Sequence, residues 1–333
     1  MQYTPLTPSV STLYADALGA FLAEQGLPAD ARATGPRLCG VSYASKMAGA
    51  SRQLDDQALG LRFGARVGGA GFGMLGIAAA TAPTLREAIR HLTQLESITS
   101  TLGYAMVRRQ GTRVHLSWQP AQPVPAAVVE GILAGWVSFG RYLLGEKVDV
   151  VQVALRHRRI APMAIYDSVF ECPVHFEACC YGVTIAAELL DARPRFADDV
   201  LNGAIGGWLH HCARVASGDA MTVTRSVGAL LQTTLPLAEA DELTVAAMLG
   251  FERRSMQRAL QQERTSFRQI VSAARAQHAI LMLMRGDVPL ADLSADIGFD
   301  EQSSMCRAFR RWTGYAPLAF KERVSEVFRP LRA

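Results

Sequence analysis

The feature that most constrains this chain is a pattern that occurs twice in its last third. The stretches that begin at Leu243 and at Leu290 each contain a short apolar segment, a glycine, and a second segment rich in Arg, Gln and Ser. Glycine adopts a positive φ at little cost and therefore often ends a helix where the chain turns. Two short helices joined in this way form a helix-turn-helix, and the sequence predicts two of them.

The apolar residues of each copy recur at helical spacing, which predicts the faces that are buried. In the first copy these residues are Val245, Ala246, Leu249, Met256 and Leu260, with the turn at Gly250. In the second copy they are Leu293, Ile297, Met305 and Phe309, with the turn at Gly298 and Asp300 as the expected N-cap.

The outward face of each second helix predicts contacts with DNA. Arg and Gln at the N-terminal end of such a helix suit base edges in a major groove, whereas later arginines suit phosphates. The residues predicted to read bases are Arg253, Arg254, Gln257, Gln302 and Ser303, and those predicted to contact phosphates are Arg258, Arg307 and Arg310. Acidic residues flank the second copy, so we expect the first copy to supply more of the salt-dependent attraction.

A long helix is predicted between the two copies. Ser266 and Gln269 have the spacing of a capping box, and Gly286 ends the segment. The positions expected to be buried are Phe267, Ile270, Val271, Ala274, His278 and Leu281. A helix from Ser266 to Arg285 would be roughly 30 Å long, which is close to the roughly 34 Å of one turn of B-DNA. Such a helix can hold two recognition helices on successive major grooves of one DNA face.

Residues from about Thr222 to Arg329 resemble the DNA-binding domain of AraC-family transcription regulators. The resemblance is carried by ordered blocks around both turns, and these are Gly250-Phe251, Arg254, Met256-Gln257-Arg258, Leu260, Thr265-Ser266-Phe267, Arg275, Ile297-Gly298-Phe299, Gln302-Ser303, Arg307-Ala308-Phe309, Arg311, Gly314 and Pro317. Glu252 stands where the family usually has Ser, and Glu is a poorer N-cap. The resemblance implies a transcription regulator, expected to be an activator, that binds double-stranded DNA and has RNA polymerase as a candidate partner.

The length of 333 residues predicts two domains. We expect an effector-sensing and oligomerisation domain over residues 1–217 and the DNA-binding domain over residues 218–333, with the linker at Ser217-Gly218-Asp219. Helices interspersed with strands predict an α+β fold for the first domain. The second domain is expected to be all-α, with two helix-turn-helix motifs joined by a long helix.

Hydrophobic periodicity places the elements of the first domain. Helices are expected at Val10–Gln25, Arg52–Phe63, Ala126–Leu144, Ala161–Phe170 and Ala197–Ala216, with a further helix from Thr84. Strands are expected in a hairpin over Gly103–Gln119 and at Val148–Arg156, Val174–Phe176 and Tyr181–Ala186.

The segment Gly71–Gly76 has the form G-x-G-x-x-G. A dinucleotide fingerprint of this form follows a strand and opens a helix. Here a helix is predicted before it, and the next helix begins only at Thr84. A tight turn with close backbone packing is therefore favoured over nucleotide binding.

The first domain also resembles a known family, in scattered blocks between about Gly19 and Asp199. The blocks are Leu59–Gly64, Gly73 and Gly76, Pro83–Ala88 and Phe170–Phe176. They are similar to the arabinose-binding-type N-terminal domain that some AraC-family members carry, such as the ornithine-utilisation regulators. The resemblance implies effector sensing and assembly into a homodimer.

The composition of the first domain bears on the effector. The domain is apolar, and no cluster of charges in it suggests a nucleotide or a sugar phosphate. A small, mainly apolar or amphipathic organic effector is expected, since ligand sites are mostly apolar with few polar groups. The candidate pocket residues are Phe72, Leu75, Trp136 and Phe139, of which the aromatic ones are also typical of a core. The alternative is a ligand-independent architectural DNA-binding protein whose N-terminal half only dimerises.

The sequence shows no pattern for other chemistry. His210, His211 and Cys212 cannot all face one metal ion, because adjacent residues on a helix point about 100° apart. No nucleophile motif surrounds a cysteine, so neither an enzyme nor a cofactor is expected, and Cys179 and Cys180 are expected to pack in the core. No apolar run approaches about 18 residues, and no signal peptide is recognised. We expect a protein of the bacterial cytoplasm, at the nucleoid, without a membrane partner.

Overall fold

The computed structural model describes residues 8–28, 37–145, 149–206, 223–233, 236–286 and 288–328. The chain separates into two compact units that divide near residue 203. The predicted boundary and linker at Ser217 lie within residues 207–222, outside the described residues. That boundary therefore stays a prediction, and each unit is described by itself.

The first unit is α+β, which confirms the predicted class. Its helices are α1 (Thr12–Glu24), α2 (Gly40–Gln53), α3 (Leu59–Gly71), α4 (Gly73–Ala80), α5 (Leu85–Gln94), α6 (Glu96–Thr99), α7 (Ala126–Leu144) and α8 (Met163–Phe170). Helix α9 is described over residues 199–206 and runs across the division between the units; the rest of the predicted helix Ala197–Ala216, from residue 207, lies outside the described residues. Its strands are β1 (Ser9–Ser11), β2 (Arg37–Cys39), β3 (Gly103–Gln110), β4 (Arg113–Pro120), β5 (Val150–Ala154), β6 (Val174–His175) and β7 (Tyr181–Ala186).

Five of the strands form one sheet in the order β3-β4-β7-β5-β6. Strands β3 and β4 form the predicted hairpin, in which Gly103 lies opposite Pro120. Strand β7 pairs antiparallel with β4 and with β5, and only β5 and β6 run parallel among the described pairs. Strands β1 and β2 form a separate antiparallel pair.

The predicted helix Arg52–Phe63 is wrong, because the chain divides there into α2 and α3. Asp56 lies between the two helices and is bound from both sides. Its carboxylate accepts a hydrogen bond from the backbone N–H of Ala58 at 2.9 Å, and its carbonyl accepts one from the Ser51 hydroxyl at 2.6 Å. A side chain that satisfies the free N–H groups of a helix start favours a boundary at this point.

The expectation that Cys179 and Cys180 pack in the core is also wrong. Both side chains are exposed. They lie in the bend immediately before β7, outside the regular ladder of the sheet.

Helices α3 and α7 touch through their backbones. A Cβ atom added to Gly60 would lie 1.9 Å from the carbonyl oxygen of Ala127, and one added to Gly64 would lie 2.2 Å from that of Gly131. No side chain fits at either position without displacing a helix. Helix α7 is long and apolar enough to cross a membrane. However, 61% of its most apolar 18-residue stretch is buried inside the unit, as expected of a core helix.

The glycine-rich segment joins two helices, so no strand precedes it as a dinucleotide fingerprint requires. Gly73 begins α4 directly after Phe72, and a Cβ atom on Gly76 would lie 2.1 Å from the carbonyl oxygen of Gly69. The interpretation as a tight turn with close backbone packing is confirmed.

The second unit is all-α over its described residues, as predicted. Its helices are α10 (Val223–Thr233), α11 (Glu242–Met248), α12 (Arg253–Gln262), α13 (Phe267–Arg285), α14 (Leu290–Asp296), α15 (Gln302–Thr313) and α16 (Pro317–Phe328). A short helical turn, Leu237–Glu239, precedes α11. Helices α11 and α12 form the first predicted helix-turn-helix, and α14 and α15 form the second.

The long helix α13 joins the two motifs and begins as predicted. The Ser266 side chain accepts a hydrogen bond from the backbone N–H of Gln269. Its predicted buried face is partly wrong, because Phe267, Ala274, His278 and Leu281 are only half-buried. The buried face is rotated, since several helices pack on α13 at once, and it consists of Ile270, Val271, Ala276, Ala279, Ile280 and Leu283.

Arg275, on α13, contacts the turn of the second motif and the segment that precedes the first motif. Its guanidinium carbon lies 5.1 Å from the centre of the Phe299 ring, which belongs to the turn of the second motif. Its Nη2 donates a hydrogen bond to the carbonyl oxygen of Leu237, just before the first motif, at 3.4 Å. A second contact fixes α15, because the indole N–H of Trp312 donates to the Ser272 hydroxyl at 2.9 Å. The long helix thus fixes both motifs within one unit.

The contact between α3 and α7 predicts a difference between two glycine substitutions. Gly60→Ala should lower the free energy of unfolding by about 1–3 kcal/mol, because its methyl group collides with the backbone of α7. Gly49→Ala is the matched control, since Gly49 lies in α2 and no heavy atom lies within 4 Å of an added Cβ there. It should be neutral or stabilise the protein by about 0.4–1 kcal/mol. Denaturant unfolding of both variants measures the difference, and equal effects would contradict the close contact.

Candidate DNA-binding surface and effector cavity

The first helix-turn-helix has the predicted helices and turn, although Leu249, one of its predicted buried residues, is only half-buried. The Asp241 carboxylate caps α11 by accepting from the backbone N–H groups of Leu243 and Thr244. Gly250 makes the turn with φ +72°, a conformation that few other residues adopt. Glu252 occupies the N-cap position of α12, and its side chain makes no capping hydrogen bond, as expected of a poor N-cap.

The outer face of α12 carries the residues predicted to contact DNA. Arg253, Arg254 and Arg258 are exposed, and Gln257 is half-buried. Glu242, at the start of α11, holds two of them. Its carboxylate accepts from Arg253 Nε at 2.8 Å and from Gln257 Nε2 at 2.9 Å. These contacts hold both side chains of α12 against α11. No local pattern in the sequence indicates this role of Glu242.

The second motif turns at Gly298 (φ +76°). Its predicted N-cap, Asp300, is wrong by one residue. Glu301 is the N-cap of α15, because its backbone is extended at φ −126° and ψ 132°. The helix therefore begins at Gln302, which places this residue in its first turn.

The candidate residues of α15 lie on its solvent side. Gln302, Ser303, Arg307 and Arg310 are all exposed. The Ser303 hydroxyl donates to Glu301 Oε2 at 3.1 Å, and Arg307 Nη2 donates to the Ser304 hydroxyl at 3.0 Å. Carboxylates thus stand beside both recognition helices, Glu301 at α15 and Glu242 at α12, and the expected difference between the motifs in their attraction for phosphates stays a prediction. The roles assigned to the eight DNA-contacting residues stay predictions.

The first unit contains a cavity of about 110 Å³ between helices α4 to α7 and the inner face of the sheet. An engineered cavity of about 150 Å³ with an apolar lining takes up benzene, so the size suits a small organic molecule. All four candidate pocket residues line it, namely Phe72, Leu75, Trp136 and Phe139. Whether they bind an effector stays a prediction.

The wall of the cavity is largely aromatic and aliphatic. The Phe72 ring lies 5.4 Å from Phe139 and 6.0 Å from Tyr14. The remaining apolar lining comes from α5, α7 and the sheet, and includes Leu85, Ile89, Leu92, Ile132, Val137, Leu143, Val150, Val183 and Ile185. Apolar walls of this kind are typical of ligand sites.

Glu96 is the acidic residue of the cavity wall. Its Oε2 accepts from the backbone N–H of Ala105 at 2.7 Å, and its Oε1 accepts from the indole N–H of Trp118 at 3.2 Å. Burial raises the pKa of Glu96 to about 7, although the two donors act in the opposite direction. No local pattern in the sequence indicates Glu96, because both of its partners lie in the hairpin and only the folded chain brings them together.

Two tyrosines add hydroxyl groups to the same cavity. Tyr14 and Tyr43 both line it, and the centres of their rings lie 5.7 Å apart. Burial raises the pKa of Tyr14 to about 12, and the negative charge of Glu96 adds to the rise. Both phenols therefore remain neutral at ordinary pH.

A second buried carboxyl, Glu130 on α7, lies outside the cavity wall. Glu130 Oε1 accepts a hydrogen bond from the Tyr166 hydroxyl and lies 3.7 Å from His157 Nε2. Burial raises the pKa of Glu130 to about 7. It resembles Glu96 in its raised pKa, but Glu130 is fully buried, whereas Glu96 is half-buried and lines the cavity.

The described residues contain no group of three His, Cys, Asp or Glu side chains placed to hold a metal ion. The sequence His210-His211-Cys212 lies outside the described residues.

Comparison with known families matches both units. Residues 17–194 match the family described as "Arabinose-binding domain of AraC transcription regulator, N-term". Residues 245–323 match the family described as "Helix-turn-helix domain".

Characterised relatives align over most of the chain. The ornithine utilization regulator of Pseudomonas aeruginosa is 25% identical over 275 residues, which cover 80% of this chain and 79% of that protein. The HTH-type transcriptional regulator VirS of Mycobacterium tuberculosis is 26% identical over 275 residues, covering 81% and 80%. The crystal structure of the transcriptional regulator CdpR from Pseudomonas aeruginosa aligns with a TM-score of 0.46 and 20% identity over 97% of this chain and 99% of that one.

Proposed function

Because this chain belongs to the AraC family of transcription regulators, we propose that it is a DNA-binding activator whose first unit responds to a small, mainly apolar or amphipathic effector. The observation that carries the proposal is the cavity of about 110 Å³ in the unit that matches the arabinose-binding family. An architectural protein whose first half only dimerises has no need for such a cavity.

On the DNA side, we assign base reading to residues in the N-terminal halves of α12 and α15 and phosphate binding to their later arginines. Arg253, Arg254, Gln257, Gln302 and Ser303 take the first role, and Arg258, Arg307 and Arg310 the second. The 19 residues of α13 correspond to about 28 Å of helix. This length supports placement of the two recognition helices on successive major grooves.

The proposed assembly is a homodimer that brings two such units to a repeated DNA site. The exposed apolar side chains Tyr104 and Met106 on the edge strand β3 are compatible with self-association. The family supports RNA polymerase as a further partner, with action at the bacterial nucleoid. Run-off transcription with purified polymerase separates activation from repression.

Two arginines of α12 should have different effects on DNA binding. Arg254→Ala should cost about 1–3 kcal/mol at the preferred site and relax the preference at one base pair, because a base contact is lost. Arg258→Ala should weaken binding to all sequences alike and reduce the slope of log K against log salt by about one. The preferred site is obtained by selection from random duplexes with the full-length protein. If neither variant changes sequence preference or salt slope, the assignment is wrong.

The cavity can be tested by filling it. Gly140 lines the cavity, and no heavy atom lies within 4 Å of a Cβ atom built there. Gly140→Leu should therefore occupy the space that an effector needs. A compound at 100 times its Kd stabilises the natural protein by about 2.7 kcal/mol, and this stabilisation should be largely lost in the variant.

The matched control for this test is Gly49→Leu, which also has open space but lies in α2, away from the cavity wall. The measurement is a thermal-shift screen of amphipathic compounds with the full-length protein and both variants. Compounds that stabilise all three proteins equally would show that the cavity is not the effector site.

Dimerisation is tested by analytical ultracentrifugation of the full-length protein. The natural chain should sediment as a dimer at tens of micromolar, and Met106→Lys should weaken the dimer if the edge of β3 takes part, because a charge on an edge strand opposes pairing. A strict monomer for the natural chain, with and without DNA, would contradict the proposed assembly.

A further inference from the structure

We propose that the effector of the cavity carries a cationic head group, such as a primary amine, and that the Glu96 carboxylate binds it. The inference rests on the proposed function, in which the cavity is the effector site. It goes further by naming the chemical class of the ligand and the residue that selects it.

The polar side chains of the cavity wall are few, and most of them come from one stretch of the chain. Among the described residues that line it, Glu96 is the only carboxyl group, and none is a lysine, arginine or histidine. The hydroxyl-bearing residues Thr93, Thr99 and Ser100, close to Glu96 in the sequence, also line the cavity, as does Tyr14. Most other lining residues are aliphatic or aromatic. The shape and chemistry suit a molecule with an apolar body and one polar head.

The hydrogen bonds of Glu96 favour a ligand that donates. Each of its two oxygens already accepts one N–H, from Ala105 and from Trp118. An ionised carboxylate can accept about four hydrogen bonds, so each oxygen retains capacity for another. The two fixed donors hold the carboxylate in place, and an ammonium group brings three N–H donors to it. A protonated Glu96 would instead need an acceptor for its own proton.

The candidate head groups differ in charge, and this difference predicts the order of their affinities. A carboxylate inside the unit has lost much of its hydration, and a cation placed against it restores favourable interactions for the ionised form. An anionic head group would place a like charge beside Glu96, and the lining offers no basic side chain to offset it. An alcohol gains only a single donated hydrogen bond. The expected order of affinity is therefore amine, then alcohol, then carboxylic acid.

The affinity for an amine should also depend on pH, with a definite sign. The pKa of Glu96 is raised to about 7 by burial, and a primary amine remains protonated up to about pH 10. As the pH rises through 7, more Glu96 is ionised, so amine binding should strengthen and then level off. Binding of a neutral alcohol should show no such rise.

Other ionisable groups pack around the same place, and the Glu96 variant separates them from Glu96. Tyr14 and Tyr43 stay neutral in this range because burial raises the pKa of each. Arg37 donates to the carbonyl oxygen of Ile98 in α6 and stays charged. His91 is buried on the neighbouring helix α5. A charge on His91 would act on the amine and not on the alcohol, but it would still do so after Glu96 is replaced by Gln.

The probes are n-hexylamine, 1-hexanol and hexanoate, which share one apolar chain and differ in the head group. Titration calorimetry with the full-length protein gives each Kd at pH 6, 7 and 8. At pH 8 hexylamine should bind about tenfold or more tightly than hexanol, since hydrogen bonds to charged groups are the stronger ones. Hexanoate should bind most weakly, and the preference for the amine should shrink at pH 6.

Two variants assign the effect to one residue. Glu96→Gln should reduce the affinity for hexylamine to that for hexanol and remove its pH dependence. Glu130→Gln is the matched control, since Glu130 is buried with a similarly raised pKa but lies outside the cavity wall. It should leave the preference for the amine unchanged. If Glu96→Gln does not fold, the order of the three probes and their pH profiles on the natural protein decide the question.

The outcomes distinguish this inference from the proposed function. Binding of all three probes without preference, or tightest binding of hexanoate, would overturn the cationic head group and leave the cavity as the effector site. The proposed function itself would be contradicted if none of the three probes binds and no amphipathic compound stabilises the natural protein more than Gly140→Leu in the thermal-shift screen.

Discussion

The direct contact between the backbones of α3 and α7 is the constraint on which the first unit depends. Gly60 and Gly64 lie so close to the carbonyl groups of α7 that no side chain fits between the helices. This contact fixes α7 in the middle of the unit, where Trp136 and Phe139 reach the cavity. The cavity is therefore a consequence of helix packing, and glycine at two positions allows it to form.

In the second unit, the contacts of one arginine side chain have the role that the backbone contact has in the first unit. Helix α13 carries Arg275, which contacts the turn of one motif and the segment before the other. Since the same guanidinium serves both, the two motifs are held by one helix, which is the arrangement that the proposed reading of two successive grooves needs. Glu242 adds order within the first motif by holding Arg253 and Gln257.

Local patterns in the sequence were enough for the elements and for the class of protein. Apolar spacing and glycine position predicted both helix-turn-helix motifs and α7, because these depend on residues close together in the chain. The predictions were wrong where contacts with residues distant in the sequence, or a competing side-chain hydrogen bond, determine the local structure. Asp56 divides a predicted helix, and several helices packing on α13 rotate its buried face. Glu96 was missed because its partners, Ala105 and Trp118, come from the hairpin.

The most direct measurement is a linkage cycle between the cavity and DNA. For a compound that requires the open cavity, the Kd for the selected DNA site is measured with and without the compound, and the Kd for the compound with and without DNA. A ligand-responsive regulator predicts equal ratios in both directions, about 5-fold to 150-fold in size, and their loss in Gly140→Leu. Tight binding in the cavity with unchanged DNA affinity would contradict ligand control and favour the architectural alternative.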